Sequence, residues 1–345
     1  RAHWWVMSAP PRPDAATQPN RRGRARPTGP LRWLAALLLT ALAAVAVVPD
    51  LLFGMDRFPP FAQTVAFRTV LLVGLVVVVV SFAVATVFRR GLWPVTAGLA
   101  VVAVLGGGMV LPRTVADTPP PSGTPLKVLA LNVFEGEADV DTLAALIRTE
   151  APDVVSIPES GGRFAGELDP LIAPLGYRTV ASVSARRQDV AGVTLAVSER
   201  MGEVQTRTGR GRPFPFVEAT GGALGDLRFV AYHSVAPTRG SVDEWRSDLD
   251  LLRQWCQGPT PAVLAGDFNA TLDHSVLREG TAGCGDAAAQ TGNGLVGTWP
   301  NWAPRWLGPQ IDHVFGTDGI AAESFDVRDV PGTDHRAIVT TLRIP

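Results

Sequence analysis

The sequence predicts an α/β domain of two packed sheets covered by helices, preceded by three transmembrane α-helices. Two observations lead there. Three uncharged stretches of bilayer length fall between residues 33 and 112, and the chain after residue 125 alternates many apolar strand-like runs with a few well-separated amphipathic segments. Of the 345 residues, 46% are hydrophobic and 18% charged, which excludes a disordered chain. Only two cysteines are present, so a small disulfide scaffold is excluded too.

The amino end divides into a leader over 1–32, expected to be disordered and cytoplasmic, and a membrane region over 33–112. Its uncharged stretches are 33–49, 69–88 and 91–112, where a span needs about 20 apolar residues. The middle one, LLVGLVVVVVSFAVATVF, is apolar on every face, unlike a core helix with a polar stripe. The first is shorter and follows Arg21, Arg22, Arg24, Arg26 and Arg32, a pattern shared with signal peptides; two further spans follow it, and no Ala-x-Ala cleavage context is evident. The third carries Gly106, Gly107 and Gly108, small residues that let helices approach closely. The Arg-rich leader and the Arg89-Arg90 turn are expected on the cytoplasmic side by the positive-inside rule, and three spans then carry the rest of the chain outside. Residues 113–125, RTVADTPPPSGTP, read as a linker whose prolines favour polyproline geometry at about 3.1 Å per residue. A domain over 126–345 is thereby kept near the membrane.

That domain begins with LKVLALNVF, a strand by its alternation, followed by the helical spacing of DVDTLAALIRTEAPD with Asp139 or Asp141 placed to cap it. VVSIP reads as a short strand, GRFAGELDPLIAPLG as a helix, and YRTVAS, GVTLAVS, PFVEAT and LRFVAYHS as strands. VDEWRSDLDLLRQWCQ is an amphipathic helix, PAVLAGDFN a strand entering a polar loop, and IDHVFG, AAESFDVRDV and RAIVTTLRIP complete the strands. No internal repeat is evident. In an outer compartment Cys256 and Cys284 have two readings, one disulfide or two unpaired thiols.

Chemistry-bearing residues terminate these runs. Asn132 ends the first strand, Glu159 follows VVSIP and His233 ends FVAYH; Asp267 and Asn269 lie in GDFNA, Asp312 in IDHV, and Asp334 and His335 in TDHR. In a sheet sandwich such positions converge on one edge. Oxygen-rich side chains with two imidazoles suit a hard cation, Mg²⁺ or alternatively Mn²⁺, better than zinc, for which no HExxH or Cys/His spacing is present.

This ordered set resembles the endonuclease/exonuclease/phosphatase superfamily, which contains DNase I-like nucleases, sphingomyelinases and inositol-polyphosphate phosphatases. LAGDFNA followed about 70 residues later by GTDHRAI carries most of the likeness, which runs over 126–344. The resemblance implies a four-layer αββα sandwich and metal-assisted hydrolysis of a phosphate ester or pyrophosphate. It implies Asn132, Glu159 and Asp334 at the metal, His233 and Asn269 as phosphate contacts, Asp267 orienting or deprotonating water, and His335 supported by Asp312 as the other catalytic histidine. One departure is Pro158, where many nucleases of the superfamily carry Gln before the Glu. In layout the chain is similar to membrane-anchored actinobacterial members related to the teicoplanin-resistance protein VanJ, which points to polyprenyl (undecaprenyl) pyrophosphates of the cell envelope.

The expected partners are therefore a lipid-linked phosphate substrate and the membrane. No stable nucleic-acid complex is expected, because residues 125–345 carry 19 basic and 28 acidic side chains, a formal charge of −9. An extracellular nuclease or phosphodiesterase, and an inactive membrane-anchored binding or sensing domain, are the alternatives. His313, beside Asp312, is expected on the opposite strand face, and His274 at a helix start on the surface. Trp299, Trp302 and Trp306 form either a hydrophobic minicore or an apolar wall at the rim of the site, the former preferred. Arg207, Arg210 and Arg212 belong to a solvated hairpin or else clamp a second phosphate, the hairpin preferred.

Overall fold

A computed structural model describes residues 29–118, 122–183, 188–210 and 214–345. The leader arginines before residue 29, Pro119 to Pro121, Arg212 and the side chain of Arg210 lie outside the described residues.

Three helices at the amino end are long and apolar enough to cross a membrane. They are built on α1 (Gly29–Val47), a short α2 (Phe61–Thr64) leading into α3 (Arg68–Phe88), and α4 (Trp93–Val110). Leu42, Val77, Val87 and Val104 face outward and exposed, as lipid-facing side chains do. Close packing is built on glycine at Gly98, where a Cβ would lie 2.0 Å from Thr40 Oγ1, and at Gly106, where it would lie 2.9 Å from Val47 Cγ1. Gly108, in the same glycine run, meets nothing.

The strands follow in chain order as β1 (Thr124–Ala130), β2 (Val154–Pro158), β3 (Tyr177–Ala181), β4 (Val193–Ser198), β5 (Val204–Arg210) and β6 (Pro215–Gly221). They continue as β7 (Arg228–His233), β8 (Ala262–Asp267), β9 (Cys284–Asp286), β10 (Asp312–Thr317), β11 (Ala321–Asp329) and β12 (Arg336–Ile344). One mixed sheet has the order β11-β12-β1-β2-β4-β3 and the other β5-β6-β7-β8-β10-β9. Val128, Leu195, Val217, Phe229, Val263 and Ile338 fill the space between them. The first sheet's outer face is covered by α5 (Val140–Glu150) and α6 (Gly162–Ile172), which bury Leu143, Ile147, Phe164 and Leu168 against Leu129 and Val155. The second is covered by α7 (Val242–Leu251), α8 (Arg253–Cys256) and α9 (Ser275–Gly280), through Trp245, Leu249, Trp255 and Leu277. Each large side chain so buried contributes about 1.5–3 kcal/mol. The result is the expected four-layer sandwich, behind three apolar helices.

Asp139 is the cap of α5, its Oδ1 accepting from Thr142 N at 2.7 Å. Cys256 and Cys284 are joined in a disulfide, which ties α8 to β9.

Residues 113–117 of the linker pack against the domain, while the prolines on which the extended reading rests lie outside the described residues. Arg113 Nη2 lies 2.9 Å from Asp273 Oδ1, Ala116 bridges to Thr291, and Asp117 N donates to Gln290 O at 2.8 Å. Beside them lies a buried charge cluster between the apolar helices and the domain. Arg68 is fully buried and pairs with Asp50 and with Asp273 Oδ1 at 3.1 Å, while Arg278 Nη2 reaches Asp50 Oδ2 at 2.7 Å. Two carboxylates taken out of water need arginines from both sides, so the junction packs instead of standing free.

Candidate active site

Strand register assembles the site. His233 ends β7 beside Asp267 at the end of the parallel β8, and Asp267 in turn pairs with Asp312 at the start of the antiparallel β10. In the other sheet Asn132 follows β1, Glu159 follows β2, and Asp334 and His335 precede β12, which runs antiparallel to β1. Ends of parallel strands and starts of antiparallel ones lie on the same edge. Gly266 of the GDFN run makes this possible at φ +147°, since a Cβ there would lie 1.9 Å from Tyr232 O.

All eight residues singled out in the sequence form one connected group. Asn132 Nδ2 donates to Glu159 Oε1 and to Asp267 Oδ2, both at 2.9 Å, and so ties the two sheets together. Glu159 takes a left-handed φ of +57°, a strained choice for this residue, and its Oε2 accepts from Glu135 N at 2.8 Å. Asn269, at φ +46°, donates from its backbone to Asp267 Oδ1 (2.8 Å) and from Nδ2 to Ser234 O (3.0 Å) and Asp267 Oδ2 (3.2 Å). His233 Nε2 stands 3.7 Å from Glu159 Oε1 and 3.8 Å from Asp267 Oδ2. His335 Nδ1 lies 2.9 Å from Asp312 Oδ2, leaving Nε2 at 3.8 Å from both Asp267 Oδ2 and Asp334 Oδ1.

Burial and charge then set the two imidazoles apart. Burial, reinforced by the nearby His335, takes His233 down to about 3, so this ring is neutral at pH 7. Burial also pushes His335 downward, but Asp312, Asp267 and Asp334 outweigh it and hold the ring up at about 10, a cation. Burial raises Asp267 to about 7, against the pull of His335, with Asp312 adding like charge. Glu159 is raised by burial too, partly offset by the Asn132 and Glu135 hydrogen bonds. Opposite shifts in neighbouring groups are the pattern that gives one site both a proton donor and an acceptor.

The same residues fit a divalent cation. Candidate ligand atoms of Glu159, His233 and Asp267 lie within 4.8 Å of one another, as do those of Asp267, Asp312 and His335. Asp312 Oδ1, Asp334 Oδ1 and His233 Nδ1 are buried with no hydrogen-bond partner among the described residues. Both clusters share Asp267, and neither contains Asp334 or the amide of Asn132, which touches the group through Glu159 and Asp267.

The sequence model described as the Endonuclease/Exonuclease/phosphatase family matches residues 129–335. The chain belongs to this family. Its members are metal-dependent phosphoester hydrolases. Among solved structures, the chain is similar to humanized D. rerio TDP2 carrying 14 mutations, at TM-score 0.51 and 16% identity, covering 64% of this chain and 99% of that one. It is similar to a functionally unknown conserved protein from Enterococcus faecalis V583, at TM-score 0.51 and 13% identity over 64% and 100% of the two chains. The AP endonuclease LMAP from Leishmania major gives 0.50 and 15% over 68% and 95%. These likenesses concern the fold. No curated protein matches the chain.

Three further residues of this endonuclease/exonuclease/phosphatase domain touch the site: Trp299, read in the sequence as minicore or rim wall, and Thr333 and Phe214, not singled out there. Trp299 Nε1 donates to Asp334 Oδ2 at 2.8 Å, Thr333 Oγ1 donates to Asn132 O at 2.7 Å and accepts from His335 N, and the Phe214 ring stacks on His233 at 4.7 Å. Thr333 was legible as the first residue of the TDHR run; Phe214 hid in a loop read only for its arginines. The tryptophans do not form the preferred minicore: Trp302 and Trp306 are 80% and 71% exposed, and only Trp299 of the three hydrogen-bonds into the site. His274 is not on the surface, since its Nε2 lies 2.8 Å from Ala62 O of the segment before α3, which covers it. His313 turns to the opposite face, with Nδ1 2.7 Å from Asp286 Oδ2 and Nε2 3.0 Å from Ala270 O. Arg207 is held by Glu218 across the β5–β6 hairpin.

Proposed function

We propose that this family member is a membrane-anchored, outward-facing, Mg²⁺-dependent phosphohydrolase that removes phosphate from a lipid-linked substrate, a polyprenyl (undecaprenyl) pyrophosphate of the cell envelope. The observation that carries the reading is the docking of the membrane segment beside the active-site edge. Ala62 O meets His274, Gln63 bonds to Pro237 O a few residues past His233, and Arg68, at the start of α3, meets Asp273 a few residues past Asn269. A site held at that distance from a bilayer has a high effective concentration toward lipid headgroups and little freedom to track a polymer. The charge of −9 over residues 125–345 repels a duplex, whereas a pyrophosphate needs only local neutralisation.

In this reading Asp267 orients water in line with the terminal phosphorus. The bond from that phosphorus to the bridging oxygen breaks, releasing inorganic phosphate and a lipid monophosphate. His335, a cation oriented by Asp312, stabilises or protonates the departing oxygen, and His233 and Asn269 contact the phosphate. A divalent ion held by Glu159 with Asp267, and with Asn132 and Asp334 alongside, supplies charge neutralisation for the phosphate oxygens.

The test is a substrate panel of polyprenyl pyrophosphate, sphingomyelin, nucleotides and plasmid DNA with the purified full chain, together with a reporter fused after Pro345. Phosphate release from the lipid pyrophosphate and reporter activity confined to the exterior are expected. DNA cleavage without lipid hydrolysis, or a cytoplasmic reporter signal, contradicts the reading.

A further inference from the structure

The segment before α3 and the domain enclose between them a cavity of about 300 Å³. Its walls include Ala66 and Phe67 from the membrane side, Ala236 and Ile311 from the domain side, and Asn269 and Trp299 of the active-site edge. Gln63, Thr238 and His274 also line it, but each is already hydrogen-bonded, to Pro237 O, Ser241 and Ala62 O, so the surface left to a ligand is mainly apolar, and the volume lies at the lower end of ligand pockets, which run from about 300 to 1,000 Å³.

Three features argue for one occupant. The cavity borders the catalytic group, because two of its lining residues touch that group: Asn269 Nδ2 lies 3.2 Å from Asp267 Oδ2 and Trp299 Nε1 donates to Asp334 at 2.8 Å. Its membrane-side wall is made by residues that run directly into α3, with Phe67 adjoining Arg68, so it lies at the end of an apolar helix, where headgroups meet hydrocarbon. Its lining offers almost nothing to a sugar, a nucleobase or a peptide backbone, each of which needs hydrogen-bond partners when buried. We propose that this cavity receives the hydrocarbon chain next to the scissile phosphate and selects substrates by it; this rests on the lipid-phosphate reading above. With the phosphate at Asp267 and Asn269, the first carbons of the chain enter between Ala66 and Ala236 and displace water from apolar walls.

The experiment compares two water-soluble allylic substrates that differ by one isoprene unit, dimethylallyl and geranyl diphosphate, using the full chain in lipid nanodiscs. The wild type is expected to show a kcat/KM at least about ten-fold higher for geranyl diphosphate, since several additional methylene groups are buried. Ala66→Trp and Ala236→Trp, which fill the cavity from opposite walls, should each lower the geranyl-to-dimethylallyl ratio about ten-fold. The ratio is taken within one preparation, so it is independent of the fraction folded, and any partition into the nanodisc cancels between wild type and variant. If both variants lose all activity, the wild-type ratio decides. Hydrolysis of both substrates with no chain preference, or with a ratio unchanged within about two-fold in both variants, overturns the inference alone. Failure of the wild type to hydrolyse either substrate overturns the lipid-phosphate reading and the inference with it.

Discussion

His335 Nδ1 lies 2.9 Å from Asp312 Oδ2, and this contact decides what the other ring nitrogen can do. With Nδ1 engaged, Nε2 is turned toward Asp267 and Asp334 and carries a proton across the neutral range. His233 has no such carboxylate, its Nδ1 has no partner among the described residues, and it is neutral. The two imidazoles are therefore suited to different tasks.

Asp312→Asn preserves shape but replaces the charge that orients and protonates His335. Turnover is expected to fall by about 10² to 10⁴, and Asp267→Asn and His335→Ala should fall in the same range. Far-ultraviolet circular dichroism should stay unchanged, because these side chains close the sheet edge and do not fill the apolar layers. Near-wild-type turnover in Asp267→Asn removes it from the mechanism.

Metal affinity should rise with pH between 6 and 8. Asp267, raised to about 7, is largely protonated at pH 6, and its proton must leave before a cation is held; burial raises Glu159 as well. For Asp267 alone this amounts to about ten-fold per pH unit below its midpoint. Calorimetric titration of Mg²⁺ at pH 6 and 8 checks it; equal affinities count against Asp267 as a ligand.

Trp299→Phe keeps the aromatic wall and deletes the indole N–H that Asp334 accepts. Outer contacts of this kind are worth about 10- to 100-fold in metal affinity or activity. A loss in that range, with unchanged thermal stability, is expected. Full activity in Trp299→Phe assigns the bond a packing role only.

Arg68→Met leaves Asp50 and Asp273 short of a buried counter-charge. Breaking a buried pair from one side costs about 3–5 kcal/mol, so the variant should unfold at markedly lower temperature and expose the junction to protease near Arg113. Replacing Asp243, an exposed surface carboxylate, should do neither.

Much of the site was legible because each polar residue interrupts an apolar run at its end, and parallel and antiparallel strands turn such ends onto one edge. The Asp139 cap was legible for a similar local reason. What escaped depended on distant partners. The strand β5, VQTRTGR, has no apolar face and is a strand by virtue of β6 and the Arg207–Glu218 pair. The helix read over 242–257 breaks at Leu252, beyond which Trp255 Nε1 meets Glu218 Oε1 at 2.6 Å and Cys256 meets Cys284. His274 sits in a polar stretch, and it is covered by the Trp245 ring and by Ala62 O, a carbonyl 212 residues away. Periodicity carries none of these contacts.

Phosphate release from undecaprenyl pyrophosphate by the full chain in liposomes, with Mg²⁺ and with EDTA, tests the central claim most directly. Release that requires Mg²⁺, stops with EDTA, and falls by about 10² or more in Asp267→Asn is the result predicted. No release from the lipid under conditions where the same preparation cuts plasmid DNA would contradict it.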